Sequence, residues 1–150
     1  MRLVIQRVKY SKLFINNELR SQIDNGLVVL IGIEEADLHE DVLWCASKLC
    51  QMRIFSDIEG KMNLDIKQVN GEILLISQFT LHASTKKGNR PSYLKAARPD
   101  FAIHLYEAFI NETGLLVGKP CKTGVFGANM QVELLNDGPV TITIDSKNKE

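Results

Sequence analysis

The sequence is poor in cysteine, with only three such residues among 150. Cys45, Cys50 and Cys121 are not spaced as the ligands of a structural zinc site. An odd number of cysteines does not suit a disulfide framework, so we expect reduced thiols in a reducing compartment. The histidines are scattered as well, and the sequence therefore predicts neither a metal ion nor a cofactor.

Long apolar runs and an excess of charge are also absent. No stretch approaches the roughly 20 apolar residues of a transmembrane helix, and the first nine residues do not resemble a signal peptide. We therefore expect a cytoplasmic protein. Its 18 basic residues balance its 18 acidic residues. Any contact with nucleic acid would need a local basic patch, because the chain has no global positive field.

Many short apolar segments and two longer amphipathic segments are present. Strands are predicted at residues 2–8, 13–15, 19–23, 27–33, 72–81, 115–117, 130–135 and 140–144. One helix is predicted from Asp37 as N-cap, with Glu40 completing a capping box. A second is predicted from Pro99 until Gly114 stops it. This order predicts one α+β domain over residues 1–150, built on a largely antiparallel sheet with two main helices.

The first candidate site is the polar end of the second long apolar strand. Alternation along a strand places Ser77 and Phe79 on one face and Gln78, Thr80 and His82 on the other. Thr80 and His82 could act as nucleophile and base, as in a serine or threonine esterase. No acidic residue stands nearby in sequence to complete a triad. A strand that simply ends in polar residues is the other interpretation, and the residues alone leave both open.

The second candidate is a basic stretch between that strand and the second helix. Its five cations are Lys86, Lys87, Arg90, Lys95 and Arg98. Such a local concentration of positive charge suits phosphate groups, although a solvated loop explains it equally well. Tyr93 lies within the stretch and could stack on a base or ribose, but packing on the core is the commoner role.

A tight turn is predicted at residues 136–139, between the last two strands. Within it Gly138 precedes Pro139, and glycine relaxes the conformational limits that a following proline imposes. A cis peptide bond is possible there, but the residues alone indicate only a turn. Met130, just before the first of these strands, has the character of a core residue.

In combination and order, these signals resemble the bacterial D-aminoacyl-tRNA deacylases, also called D-tyrosyl-tRNA deacylases, from end to end. The matching segments are VIQRV at 4–8, RIF at 53–55, EGKMNL at 59–64, GEIL at 71–74, SQFTL at 77–81, KGNRPS at 87–92, LYEAF at 105–109, TGVFGA at 123–128 and NDGPVT at 136–141. The SQFTL strand and the NDGPVT turn together are highly specific. The resemblance implies the barrel-like sheet of that family.

The resemblance also implies a homodimer that acts on aminoacylated tRNA, with two sites at the subunit interface. A cis bond between Gly138 and Pro139 of one subunit would enter the pocket of the other and reject L-aminoacyl groups. D-aminoacyl and glycyl groups would be accepted. The wall opposite would be formed by residues 77–80, whose backbone N–H groups hold the ester carbonyl. Arg7 is expected to brace the Gly-Pro element, and Met130 to lie beside the terminal adenosine.

Within the family interpretation, two mechanisms are open. Thr80 is the nucleophile in one, and the 2′-hydroxyl of the terminal ribose assists hydrolysis in the other. We favour the second because no base is obviously paired with Thr80. Asn129 stands where the family often has Asp, which affects details of tRNA contact. The alternatives are an unrelated esterase and a non-catalytic dimer that binds nucleic acid through residues 86–98.

Overall fold

The computed structural model describes residues 1–149, and its centre is one sheet organised around a long first strand. Strand β1 spans Arg2–Ile15 and pairs antiparallel with three neighbours. The other strands of this sheet are β2 (Glu18–Ile23), β3 (Gly26–Gly32), β6 (Glu72–Ser77), β7 (Lys122–Thr123) and β8 (Gln131–Asp145). Strands β4 (Phe55–Ser56) and β5 (Met62–Leu64) form a separate small hairpin.

The sheet is mixed and almost closes on itself. Its main path runs β2-β1-β3-β6-β7, and β8 pairs with the remaining edge of β1. The pairs β3-β6 and β6-β7 are parallel, whereas the pairs made by β1 are antiparallel. At the two ends of the path, the Ser21 hydroxyl donates to the Thr123 carbonyl oxygen at 2.7 Å and so joins β2 to β7. The predicted α+β fold with a barrel-like, largely antiparallel sheet is confirmed.

Two apolar clusters occupy opposite faces of the sheet. Alternate residues of β3 divide between them, so that Val28 joins a small cluster inside the curled sheet and Val29 joins the main core. Both helices, α1 (His39–Gln51) and α2 (Pro99–Val117), pack on the main core. No helix within residues 1–149 is long and apolar enough to cross a membrane.

The helix boundaries differ from the sequence prediction at both helices. The N-cap of α1 is Leu38, and the carboxylate that accepts its backbone N–H, at 2.7 Å, belongs to Asp41 and not to Glu40. Helix α2 begins at Pro99 as predicted but passes through Gly114 and ends at Gly118, where φ is +83°. The strand predicted at residues 115–117 is therefore wrong, because this segment is the last turn of the helix.

Two further corrections bear on the site. Strand β6 ends at Ser77, and residues Phe79–His82 form a 3-10 turn where the prediction extended the strand to residue 81. The predicted turn at 136–139 is a bulge within the single strand β8. Asn136 still pairs with Val8 and Thr141 with Gln6, so the four residues between them lie opposite one residue of β1.

Candidate active site

The polar end of β6 is held against β3 by a close backbone approach. The Gln78 N–H donates to the Ile31 carbonyl oxygen at 2.7 Å, and the chain then turns into the 3-10 segment. A Cβ atom on Gly32 would lie only 2.8 Å from Leu81 Cβ, so glycine is needed for the turn to rest on β3. The turn begins with the N–H groups of Phe79 and Thr80, which have no acceptor within it.

A cavity of about 670 Å³ opens beside this turn. Ser77, Gln78 and Phe79 form part of its wall, and Met130 and Phe126 contribute from the segment before β8. The structure therefore brings together four of the predicted site residues from two distant parts of the chain. A mostly apolar cavity with a few polar groups is the usual form of a small-ligand site.

Thr80 has no base beside it. Its hydroxyl oxygen accepts a hydrogen bond from the Gln78 side-chain amide at 2.5 Å. His82 does not share a face with Thr80, because strand alternation stops at Ser77 and the imidazole is fully buried. Both ring nitrogens of His82 lack a hydrogen-bond partner within residues 1–149. The pair of Thr80 as nucleophile and His82 as base, which strand alternation suggested, is therefore wrong.

The bulge of β8 is fixed by a charged group on β1. Arg7 donates from Nε to the Asp137 carbonyl oxygen at 3.1 Å, and its Nη1 donates to the Ile54 carbonyl oxygen. The Asp137 carboxylate forms ion pairs of 3.2 Å with both Arg7 and Lys9. The peptide bond between Gly138 and Pro139 is cis, as the family resemblance implied.

The Gly-Pro pair lies outside the cavity of its own chain. Val132 on β8 lines that cavity, and Gly138 follows it by six residues along the same strand. A strand rises about 3.3 Å per residue, and the residues of the bulge add less than this to its length. Val132 and Gly138 are therefore on the order of 15–20 Å apart. Gly138 and Pro139 are exposed and Val140 is half-buried, so the bulge projects away from the core.

The basic stretch forms an exposed loop beside the cavity. Ser84 and Ser92 pair with each other across its base, and Lys86, Lys87 and Arg90 are exposed between them. None of these three cations makes an ion pair with any residue from 1 to 149. Their charges are consequently available to an anionic ligand.

Several lining residues were not predicted from the sequence. Phe126 belongs to a matched segment but was given no role. Its ring lies 5.9 Å from the ring of Tyr106, whose hydroxyl donates to the Leu75 carbonyl oxygen at 2.9 Å. Packing on the core is the commoner role that the sequence favours for Tyr93. The structure instead leaves Tyr93 40% exposed, with its ring in edge-to-face contact with the ring of Phe79 at 5.0 Å.

The cysteines are not nucleophiles in this structure. Burial raises the pKa of Cys45 and of Cys50 to about 12 and that of Cys121 to about 11, so all three remain thiols at neutral pH. In the described part of the chain, no group of three or more His, Cys, Asp or Glu is arranged to hold a metal ion.

Comparison with known proteins gives consistent matches over nearly the whole chain. The family model described as D-Tyr-tRNA(Tyr) deacylase matches residues 4–145. Proteins named D-aminoacyl-tRNA deacylase from Parabacteroides distasonis and Bacteroides fragilis are 59% and 57% identical to this chain, each over the full length of both proteins.

Solved structures show the same fold. One named c-Myc DNA Unwinding Element Binding Protein has a TM-score of 0.92 at 35% identity, covering 97% of this chain and 98% of its own. A probable eukaryotic D-amino acid tRNA deacylase has a TM-score of 0.82 at 17% identity, covering 95% and 97%, and shows the shared fold. The chain, with residues 77–79 of its SQFTL segment in the cavity wall and with its Arg7-braced Gly-Pro bulge, belongs to the D-aminoacyl-tRNA deacylase family.

Proposed function

We propose that this deacylase, as one domain over residues 1–150 and in the cytoplasm, hydrolyses the ester bond of D-aminoacyl-tRNA. The products are free tRNA and a D-amino acid, and glycyl-tRNA is cleaved as well. The observation that carries the proposal is the cavity in which Ser77, Gln78 and Phe79 face Met130. It is large enough for an aminoacyl-adenosine, and it lies beside a loop of unpaired cations suited to tRNA phosphates.

The active unit in this proposal is a homodimer. Within residues 1–149, strand β8 pairs with β1 along one edge only, and its apolar side chains Val132 and Leu135 are 37% and 50% exposed. A strand of 15 residues with an open edge and exposed apolar side chains is unusual unless another chain covers it. A second copy of the same chain would do so and would bring its own Gly138-Pro139 bulge toward this cavity.

Selection between D- and L-aminoacyl groups follows from that arrangement. The Gly138 and Pro139 carbonyl oxygens of one subunit face the α-amino group of the substrate held by the other. An L side chain would point into this backbone, whereas a D side chain or a hydrogen atom points away from it. Rejection by backbone atoms cannot be relieved by a change of rotamer, provided that the bulge is held as firmly as Arg7 holds it here.

The chemistry in this proposal depends on backbone groups and on the RNA. The N–H groups of Phe79 and Thr80, which have no acceptor within the turn, stabilise the negative charge that develops on the carbonyl oxygen of the ester. The 2′-hydroxyl of the terminal ribose assists attack by water on the carbonyl carbon of the ester. The bond between that carbon and the ribose 3′-oxygen then breaks, and the 3′-oxygen takes up a proton from the attacking water, which leaves the free 3′-hydroxyl of the tRNA and the D-amino acid. Thr80 is not the nucleophile, because its hydroxyl is hydrogen bonded to Gln78 and has no base beside it.

Hydrolysis of matched D-, L- and glycyl-tRNAs by the purified protein tests the proposed activity. We expect cleavage of the D- and glycyl esters and sparing of the L-ester. Contact with tRNA is tested by the salt dependence of binding, whose slope falls by roughly 0.7 to 0.9 for each phosphate that the protein no longer neutralises. Alanine variants of Lys86, Lys87 and Arg90 should each show a smaller slope, and an unchanged slope in all three would place the tRNA elsewhere.

A second candidate function is binding of nucleic acid without cleavage. It is favoured by the 35%-identical structure whose name describes a protein that binds a DNA unwinding element. The exposed cations of residues 86–98 would carry that function. Tight binding of tRNA or DNA together with no cleavage of any D-aminoacyl ester would favour this candidate over the deacylase.

A further inference from the structure

A second hollow adjoins the cavity of the proposed active site. It has a volume of about 750 Å³, and Leu94, Asp100 and Phe101 line it but not the first cavity. Tyr93, Ala96 and Arg98 line both spaces, so one short segment forms the wall between them.

This wall is tied to the sheet at several points. Ala96 pairs with Glu34, and the Ala97 N–H donates to the Ile33 carbonyl oxygen at 2.9 Å. The Arg98 N–H donates to a carboxylate oxygen of Glu35 at 2.9 Å. The backbone that separates the two spaces is therefore positioned before any ligand arrives.

The side chain of Arg98 is the unpaired charge at this junction. Within residues 1–149 its guanidinium makes no ion pair, although Glu35 and Asp100 line the same hollow. A guanidinium binds phosphate through two parallel hydrogen bonds. Placed between two nucleotide-sized spaces, it would meet the phosphodiester that links one nucleotide to the next.

We propose that the second hollow binds the penultimate nucleotide of the tRNA and that Arg98 binds the phosphate between this nucleotide and the terminal adenosine. The proposal rests on the proposed function, which puts the aminoacyl-adenosine in the first cavity. The single-stranded 3′ end of tRNA must then leave that cavity through an adjoining space. Tyr93, Ala96 and Arg98 border both spaces, so a strand that leaves the cavity past Arg98 would enter this hollow.

The hollow suits cytosine, the penultimate base of the CCA end, better than uracil. Carboxylate oxygens of Asp100 and Glu35 can accept hydrogen bonds from the exocyclic amine of cytosine. Uracil presents a carbonyl oxygen at that position, which these acids would repel. The exposed ring of Tyr93 offers a stacking surface, and such surfaces are the common means of holding unpaired bases.

A series of short esters tests the subsite. The substrates are 3′-O-D-alanyl esters of adenosine, adenosine 5′-monophosphate, UpA and CpA, and kcat/KM is measured for each. For the wild-type protein we expect about a tenfold rise from adenosine to the monophosphate, equivalent to about 1.4 kcal/mol, because the contact of an exposed guanidinium with phosphate is weakened by solvent. A further rise of severalfold is expected for CpA but not for UpA.

In the variant Arg98→Met, the kcat/KM of the monophosphate ester divided by that of the adenosine ester should be close to one. Lys95→Met is the matched control, because Lys95 is an exposed neighbouring cation that lines neither space, and this variant should keep the ratio. The proposed subsite would be rejected by equal kcat/KM values for all four esters in the wild type. It would also be rejected if the ratio of the monophosphate ester to the adenosine ester were the same in the Arg98 and Lys95 variants. Cleavage of D-alanyl-tRNA in those cases would leave the proposed function standing, whereas no cleavage of any D-ester would reject both.

Discussion

Replacing Thr80 by alanine distinguishes the two ways in which the ester can be cleaved. The structure gives the Thr80 hydroxyl one visible partner, the side-chain amide of Gln78, and no base within hydrogen-bond distance. If the hydroxyl only orients Gln78, its loss removes one neutral hydrogen bond at a half-buried position. If it is the nucleophile, its loss removes the reacting atom.

The two cases differ greatly in magnitude. A neutral hydrogen bond contributes about 0.5–1.5 kcal/mol net, so Thr80→Ala should lower kcat/KM by at most about tenfold. Loss of a true nucleophile costs on the order of 10⁴-fold or more. The variant Thr80→Ser keeps the hydroxyl and the contact with Gln78, and it should stay close to the wild type under either mechanism.

The assay is single-turnover hydrolysis of D-aminoacyl-tRNA with enzyme in excess, so that product release does not mask the chemical step. A tRNA that ends in 2′-deoxyadenosine and is charged on its 3′-hydroxyl is the companion substrate. We expect the deoxy substrate to be cleaved very slowly and the Thr80→Ala variant to remain active. A dead Thr80→Ala enzyme beside a fully active deoxy substrate would refute assistance by the RNA.

Three other perturbations follow from contacts in the structure. Asp137→Asn removes the ion pair with the largely buried Arg7 and should lower the free energy of unfolding by about 1–2 kcal/mol. The ratio of D-ester to L-ester hydrolysis should fall as well, and a ratio equal to that of the wild type would show that the ion pair does not position the bulge. Burial raises the pKa of Asp41, but hydrogen bonds, chiefly from Lys147, outweigh this and lower it to about 2. Because the folded-state pKa lies below the unfolded value, this contribution is complete above about pH 4 and lost between pH 4 and 2. Urea titrations should therefore show Asp41→Asn less stable by about 2 kcal/mol at pH 7 and by far less at pH 2. Leu135→Lys should give a folded but inactive monomer in sedimentation and circular dichroism, and an active monomer would reject the shared site.

The main elements could be predicted because each depends on local sequence. The continuous apolar run of β3 is typical of a strand buried on both faces, and the apolar residues of α1 recur at helical spacing. Asn16 and Asn17 lie between the strands predicted at 13–15 and 19–23 and form a turn there, with φ values of 52° and 65°. Errors arose where tertiary contacts overrode local signals. Gly114 did not end α2, because the helix continues on the core until Gly118 provides the left-handed residue that ends it.

The site could be predicted only in part. Residues 77–79 were named from the polar end of a strand and from the family resemblance, Met130 was given its role by the resemblance, and the structure places all of them around one cavity. The turn after Ser77 could not be predicted, because it depends on close contact with Gly32 on another strand. Likewise, the spacing of residues 136–141 resembles that of a hairpin. Only the pairing of both flanks with β1 shows that it is a bulge.

That bulge divides the long strand β8 into two halves with a short unpaired stretch between them. Amide protons of Asp137, Gly138 and Val140 have no register partner on β1, and Pro139 has no amide proton. They should exchange with deuterated solvent far sooner than the protons of the flanking ladder, which open only with the sheet itself. The molecule thus carries an intrinsic spectroscopic probe in its Gly-Pro element. Slower exchange at these three positions would report directly when another subunit, or a substrate, covers them.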